Sequence, residues 1–565
     1  MLYSEGTMAD SKVGAEKTAA RLALKIQGRA QQLKSLTSAW ATLHHELFRV
    51  LWIASVASNI GTLMQDVGAG WLMTQLAPTP IMVSLIQTAG ALPMFLLSFT
   101  AGALADILDR RRLLIFSQSW MLVAAAGLGI LTLLHHTSPL MLLTFTFLMG
   151  MGNTLNGPAW SAIVPELVPR DEVAGAVSIN SVSYNVARAV GPALGGLVVA
   201  AIGSGAVFLL NAASFLGVIV VFYRWRREPH KSKLPTERVV GAMQAGWRYV
   251  KHVPSIRSTL ICVSLFSVGA AAFWSLVPLY AREELGCSAA GYGILLGFFG
   301  AGAVLSGSIL PRLQRQMGIM PMLRYITLLN AIGLALMATW RHYPVACISA
   351  FGAGFAWTAA FSTYNTSVQL NTAAWVRGRA LAFYQLTFAA ALGAGSVLWG
   401  AVAEHVGIPQ ALLTAALALM LGLLLVARYP VGFAEGLNLA PSSRPVLVVV
   451  NEPEAEQGPV LVTVEYRIDP QKAAEFAVAM QELGRFRRRD GAVDWGLFAD
   501  VAEQDRYLET FIVESWGEYL RQQERATEAD RQTWEHAYSF HLPGGPPPIS
   551  RLLYAYHQET KALLP

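Results

Sequence analysis

From Phe48 onward the chain is a series of long apolar runs separated by short polar breaks. The runs fall near 48–75, 80–105, 113–134, 140–163, 174–201 and 203–224, then near 257–281, 289–311, 320–340, 343–368, 378–403 and 408–428. A helix needs about 20 apolar residues to cross the hydrocarbon of a bilayer, and each run is of that order. The pattern predicts an all-α membrane protein of twelve transmembrane helices. Six lie in an N-terminal bundle over 48–225 and six in a C-terminal bundle over 257–430, with a basic loop over 226–256 between them.

The periodicity changes on both flanks. Over 1–47 the chain is polar, and Lys17, Arg21, Lys25 and Arg29 recur at helical spacing among aliphatics. This segment reads as an amphipathic helix on a membrane surface from Ala15 to Trp40, or equally as a disordered cytoplasmic tail. No apolar core followed by a small-residue cleavage site stands near the start, so a cleaved signal is not expected. A Pro/Ser/Glu-rich linker spans 431–459, and then Val460 to Ile468 alternates as a strand. Asp469 and Pro470 cap a helix through Arg487. Ala492 to Asp500 and Arg506 to Ser515 read as strands, Trp516 to Ala537 as a second helix and Ser550 to His557 as a closing strand. The order β-α-β-β-α-β predicts a small soluble ferredoxin-like α+β domain over 460–560.

Charge sharpens this division. Charged residues are 14% of the chain and the mean hydropathy is +0.43, whereas globular chains carry about 25% charged residues. Between 50 and 430 there are 11 acids and 22 bases, and from 431 to 565 there are 21 acids and 13 bases. The excess bases sit in loops, so the net charge of +6 calls for no nucleic-acid partner. The loop before the seventh run carries Arg224, Arg226, Arg227, Lys231, Lys233, Arg238, Arg248, Lys251 and Arg257. Connections on the same side hold Arg110 to Arg112, Arg170, Arg312, Arg315, Arg324, Arg377 and Arg379, against Arg282 and Arg341 opposite. Positive residues stay inside, which predicts that both termini and the long loop are cytoplasmic. Cys262, Cys287 and Cys347 have no paired spacing, and no metal site, cofactor or disulfide framework is indicated.

Between the second and third runs stands Gly102-Ala-Leu-Ala-Asp106-Ile-Leu-Asp109-Arg110-Arg111-Arg112. Gly102 leaves room for close helix approach, the two aspartates end the helix, and the arginines hold the turn inside. This stretch resembles the loop between helices 2 and 3 of the major facilitator superfamily of secondary transporters, although Ile107 and Asp109 depart from that pattern. The equivalent in the second half, Gly307 to Arg315, keeps a glycine and bases but no acid. In the fifth run Arg188-Ala-Val-Gly191-Pro192-Ala-Leu-Gly195-Gly196 is similar to the Gly/Pro-rich motif of the superfamily's exporters. The stretch from Asn156 to Arg170, Gln65 and the Gly70-Trp71-Leu72 step resemble the branch of transmembrane secretion effectors, which includes enterobactin exporters. The resemblance implies two six-helix repeats with substrate bound between them near the midplane. The tail resembles antibiotic-biosynthesis-monooxygenase-like domains, which form dimeric α+β barrels. This implies a dimerisation or ligand-sensing module and a possible homodimer, with monooxygenase-like activity as the lesser reading. Trp516, Trp534, His536 and His541 could line a cleft there, without a nucleophile or metal constellation.

Asp66 is the only acid away from a helix end and Arg188 the only base in mid-membrane. Asn59, Thr62 and Asp66 share one helical face, as do Ser181, Tyr184, Asn185 and Arg188. Two readings stand: Asp66 exchanges a coupling proton under the influence of Arg188, or the two form a structural ion pair. For gating, Asp106 is expected to meet the start of the eleventh helix near Arg377 and Arg379, and one of Arg110 to Arg112 to reach Glu166. Asn153, Asn156, Trp274, Trp357, Tyr364, Gln369, Tyr384 and Gln385 recur in the helices expected to line the cavity, together with Asn59, Gln65, Tyr184 and Asn185. Aromatic faces with a few amides suit a bulky, partly apolar small-molecule substrate. The expected function is proton-coupled export of a hydrophobic or siderophore-like metabolite or drug. Uptake, or a membrane-tethered enzyme or sensor, is the alternative.

Overall fold

In a computed structural model of the chain, residues 40–169, 171–225, 239–426, 453–543 and 545–554 are described, with a few positions between 428 and 442. The basic amphipathic segment before Trp40 and the stretch 226–238 lie outside them. The helices are α1 (Glu46–Leu76), α2 (Pro80–Ile107), α3 (Arg110–Leu133), α4 (Pro139–Ile163), α5 (Val173–Ile202), α6 (Ser204–Arg224), α7 (Val239–His252), α8 (Pro254–Leu279), α9 (Ala289–Met317), α10 (Ile319–Thr339), α11 (Tyr343–Leu370), α12 (Arg377–Val406) and α13 (Ile408–Val426). Eleven of the described helices are long and apolar enough to cross a membrane. α4 stands apart from those eleven because Asn153, Asn156 and its glycines dilute its hydropathy, although its 25 residues pack between α2 and α3.

Local chemistry sets the breaks. Pro80, Pro139 and Pro254 open their helices at the first turn, where a missing N–H costs nothing. Gly203, Gly318 and Gly407 turn the chain at positive φ between successive helices. Asp109 does not end α2 as expected. Its carboxylate caps α3 instead, accepting from the Arg112 amide at 2.9 Å. On α13, Leu417, Leu421, Leu424 and Leu425 are exposed along one side, a stripe that only lipid would cover without cost.

α1 to α6 form one bundle and α8 to α13 another, and they meet along α5 with α9 and α2 with α12. The expected basic loop contains a helix: α7 lies against the start of α12 and also contacts the tail domain.

The tail runs β1 (Val460–Arg467), α14 (Ala473–Asp490), β2 (Ala492–Ala499), β3 (Arg506–Val513), α15 (Trp516–Glu524), α16 (Glu528–Tyr538) and β4 (Ile549–Leu553). The sheet order is β2-β3-β1-β4 with antiparallel neighbours. The expected second helix is two, because Thr527 and Asp530 form a capping box that restarts the chain. Val460, Val462, Val464 and Tyr466 point under the helices. Alternate residues leave Leu461, Leu508, Phe498, Ile512 and Leu552 on the sheet's other, partly exposed face.

Candidate functional site

The seam between bundles is shut at one end only. At the end remote from the tail domain, Trp71 stacks on Tyr292 with centroids 5.9 Å apart. Arg282 there donates to the Thr74 carbonyl, and the Ile81 amide donates to Glu404 Oε2 at 3.3 Å. Deeper in, Thr88 Oγ1 donates to the Gly393 carbonyl at 3.0 Å. A Cβ on Gly196 would stand 2.6 Å from the Gly293 Cα and the Ala289 carbonyl oxygen, so only glycine permits that contact of backbones. Gly195 does the same toward α1, where a Cβ would lie 2.8 Å from the Met64 Cα, and a Cβ on Gly191 would lie 2.9 Å from the Leu63 Cβ. Pro192 turns its carbonyl toward Gly293. At the tail-side end the picture reverses. A Cβ added at Gly102, Gly157, Gly307 or Gly378 would meet nothing within 4 Å. The close approach expected at Gly102 is absent from this conformation, whose bundles part on the tail side.

Asp66 and Arg188 both face the space between the bundles. On α5 the exposed apolar residues Val182, Val186, Val190 and Leu194 take one side and Tyr184 with Arg188 the other. The Arg188 guanidinium lies 5.1 Å from the Tyr184 ring centroid and donates to its hydroxyl at 3.5 Å. Asp66 is exposed one turn before Gly70 on the face of α1 that meets Tyr292. The expected approach of Asp66 and Arg188 is not seen: no ion pair joins them. Asn59 donates to Ser183 Oγ at 3.3 Å, fixing α1 to α5.

On the other wall, rings gather where α8, α9, α11 and α12 converge. Trp274 meets Phe299 edge-on at 4.7 Å and Trp357 at 5.8 Å, and Trp357 meets Phe388 at 5.7 Å. Trp274 Nε1 is buried with no acceptor among the described residues. Such a wall offers flat π surface and one N–H donor. The backbone of Arg188 abuts Gly300, next in chain to Phe299, so the cation and the aromatic wall flank the same seam.

Several other expected wall residues bond or pack within their own bundle. Gln65 is buried and accepts from Asn211 at 2.6 Å, tying α1 to α6. Tyr364 is 2% exposed in the core beside Phe266. Tyr384 is buried too, donating to the Phe361 carbonyl at 3.2 Å. Asn156 accepts from Gln118 at 3.0 Å, while Asn153 is exposed. Gln369 bonds Asn365 on the tail-side end of α11, and Gln385 is half-buried on α12. A polar or aromatic residue on such a helix reads alike from sequence whether its face meets the cavity or a neighbouring helix.

At the tail-side mouth, Arg110 reaches Glu166 at 2.7 Å as expected. Both belong to one bundle, so the pair braces α3 against the end of α4 and does not join the halves. Arg111 donates to the carbonyls of Phe222 and Tyr223, closing the end of α6. Arg377 is exposed and Arg379 lies against Gly246 of α7; the Asp106 side chain is outside the described residues. Sequence reasoning missed the contact of the soluble domain with this mouth. Tyr249 of α7 accepts from the Ala373 amide at 3.1 Å and meets Trp375 edge-on at 5.7 Å. Arg489 lies 5.5 Å from the Tyr249 ring, and Arg248 pairs with Glu518 at 3.3 Å.

Inside the soluble domain the expected cleft residues are packing groups. Trp516 is buried against Tyr519, His536 packs edge-on to Phe540, and His541 Nδ1 accepts from the Arg467 amide at 2.9 Å. Trp534 lies 5.5 Å from the Arg487 guanidinium, which pairs with fully buried Glu509 at 3.1 Å. Glu509 also receives Trp495 Nε1 and the Tyr466 hydroxyl. Among the described residues no group of His, Cys, Asp and Glu could hold a metal ion.

Similarity to known proteins agrees with this architecture. The chain is 23% identical over 359 residues to the staphyloferrin A transporter of Staphylococcus aureus, covering 62% of this chain and 87% of that protein. It is 25% identical over 384 residues to the multidrug efflux pump Tap of Mycolicibacterium fortuitum, covering 66% and 93%. The enterobactin exporter EntS of Escherichia coli is 25% identical over 333 residues, covering 58% and 78%. Among solved structures, an inward-facing bacterial homologue of the human lysosomal transporter Spinster superposes with a TM-score of 0.55 at 15% identity, over 68% of this chain and 97% of that one. With paired bundles shut at one end, such relatives, and a match over residues 37–559, the chain belongs to the transmembrane secretion effector family of major facilitator transporters.

Proposed function

We propose that this protein is a proton-coupled exporter. It moves a small hydrophobic or siderophore-like metabolite or drug across the bacterial inner membrane by alternating access. α4 completes twelve spans, and both termini and the soluble domain are cytoplasmic, in keeping with the positive residues on the tail side. The observation that carries this reading is Asp66: among the described spans the one acid away from a helix end, exposed toward the space between bundles and without a partner among the described residues. A membrane acid in contact with a water-filled path can load and release a proton. Arg188 and the Trp274–Trp357 wall offer a cation and flat apolar surface to the cargo on either side of the seam. The domain order and sheet layout support a ferredoxin-like tail, whose partly exposed sheet face suits a second copy of the chain.

The test compares culture media of a deletion strain with those of strains complemented by wild type and by Asp66→Asn. A compound absent outside and accumulated inside the deletion strain, restored by wild type and not by Asp66→Asn, is the expected result. Restoration by Asp66→Asn would remove the proton site. An external compound that ceases to be consumed would reverse the direction of transport.

A further inference from the structure

A cavity of about 260 Å³ opens between α7 and the first three turns of α8 and α12. Its rim carries Trp247, Lys251 and Arg257, and its floor is Leu260, Ile261 and Thr387. Among the described residues no carboxylate lies within 4 Å of Lys251 or Arg257, and both are exposed. Trp247 is 56% exposed, with the Phe383 ring 5.8 Å away on one side. Thr387 shares its side of α12 with Leu398, three turns on, which is 47% exposed where a bilayer would stand. The cavity therefore opens sideways at the level where the spans leave the membrane, with cations above and apolar surface below.

We propose that this cavity seats an anionic phospholipid of the tail-side leaflet, its phosphate between Lys251 and Arg257 and an acyl chain along Leu260 and Ile261. Two unpaired cations at a membrane surface attract acidic headgroups, an indole at the same depth anchors the interface, and the apolar floor excludes a fully hydrated ion. The occupant braces α7, which is also the helix that contacts the soluble domain through Arg248 and Tyr249. The inference does not depend on the direction of transport or on Asp66.

Native mass spectrometry of the purified full chain in detergent, titrated with phosphatidylglycerol or phosphatidylcholine, tests it. Wild type should prefer phosphatidylglycerol by roughly thirtyfold, each cation contributing roughly fivefold. Lys251→Gln with Arg257→Gln should erase that preference, and the single variants should halve it on a logarithmic scale. Thr387→Trp keeps both cations and fills the floor, so it should weaken phosphatidylglycerol binding too and keeps the test available if the double variant misfolds. An unchanged preference in the cation variants overturns the proposal. So does displacement of phosphatidylglycerol by inorganic phosphate, which would mark a small-anion site.

Discussion

The guanidinium carbon of Arg525, in the soluble domain, stands 4.6 Å from the centroid of the Trp375 indole, two residues before the helix that begins at Arg377. Arg525 is itself held by Glu518 at 2.6 Å and by the Asp490 carbonyl at 2.9 Å, and it is 5% exposed. A buried cation so fixed makes the connection between α11 and α12 part of the soluble domain's surface. A domain appended by a linker thereby touches the mouth that must move for the bundles to exchange their open ends.

Trp375→Ala should therefore loosen α7 as well as the α11–α12 connection, because Tyr249 loses its ring partner and Arg525 its π face. Contacts of this type contribute about 0.5–2 kcal/mol each. Hydrogen exchange of Val239–His252 in the full chain should accelerate by roughly tenfold, corresponding to about 1.4 kcal/mol. Exchange confined to residues 371–376 would show that α7 is held without the indole.

Glu518 gives the same junction a pH dependence. Burial pushes its carboxyl up, but Arg525 and Arg521 outweigh that and hold it below its ordinary 4.5. A depressed carboxylate stabilises the folded contact above the ordinary value, and the stabilisation is lost as pH falls through the folded value. Protection of α7 should thus be level from pH 7 to about 5 and decline below 4.5, and Glu518→Gln should remove the decline while lowering protection at neutral pH. A decline of equal size in Glu518→Gln would assign it to other carboxylates.

Much of this architecture was legible in the sequence, and the misses have physical causes. The helix breaks came through because Pro80, Pro139 and Pro254 and the glycines at 203, 318 and 407 mark them chemically. Gly196 was legible as a packing residue, but its contact with Gly293 was not, since nothing local says which helix comes from the other bundle. α7 was hidden by its charges, which read as loop although Ala245, Tyr249 and Val250 bury one face. Asp66 and Arg188 stood out through the scarcity of charge around them. Their separation depends on which end of the seam is shut, and a single sequence does not carry that choice.

Gly196→Ala should bias the molecule against the conformation described here. The added methyl meets backbone on α9, which cannot swing away as a side chain would, and such overpacking costs about 1–3 kcal/mol. The cost falls only on the state in which α5 and α9 touch at that point, so the population moves toward the opposite opening. Spin labels at Gln75→Cys and His342→Cys, in a chain lacking its three native cysteines, should report longer distances across the remote end. Distances equal to the wild-type ones would show that the seam closes around the methyl.

Gly102→Leu should do the reverse. In the present conformation nothing stands within 4 Å of a Cβ there, so folding stability should change by no more than about 0.5 kcal/mol. When the tail-side ends close, the end of α2 must approach the start of α12, and a leucine then occupies the space that a helix backbone would take. The closed form is disfavoured and the open mouth favoured, opposite in sign to Gly196→Ala. Labels at Leu108→Cys and Arg377→Cys should lose their short-distance population while the thermal midpoint stays at its wild-type value. If the short distances persist, α2 closes on another face, and Gly102 does not serve the approach of helices.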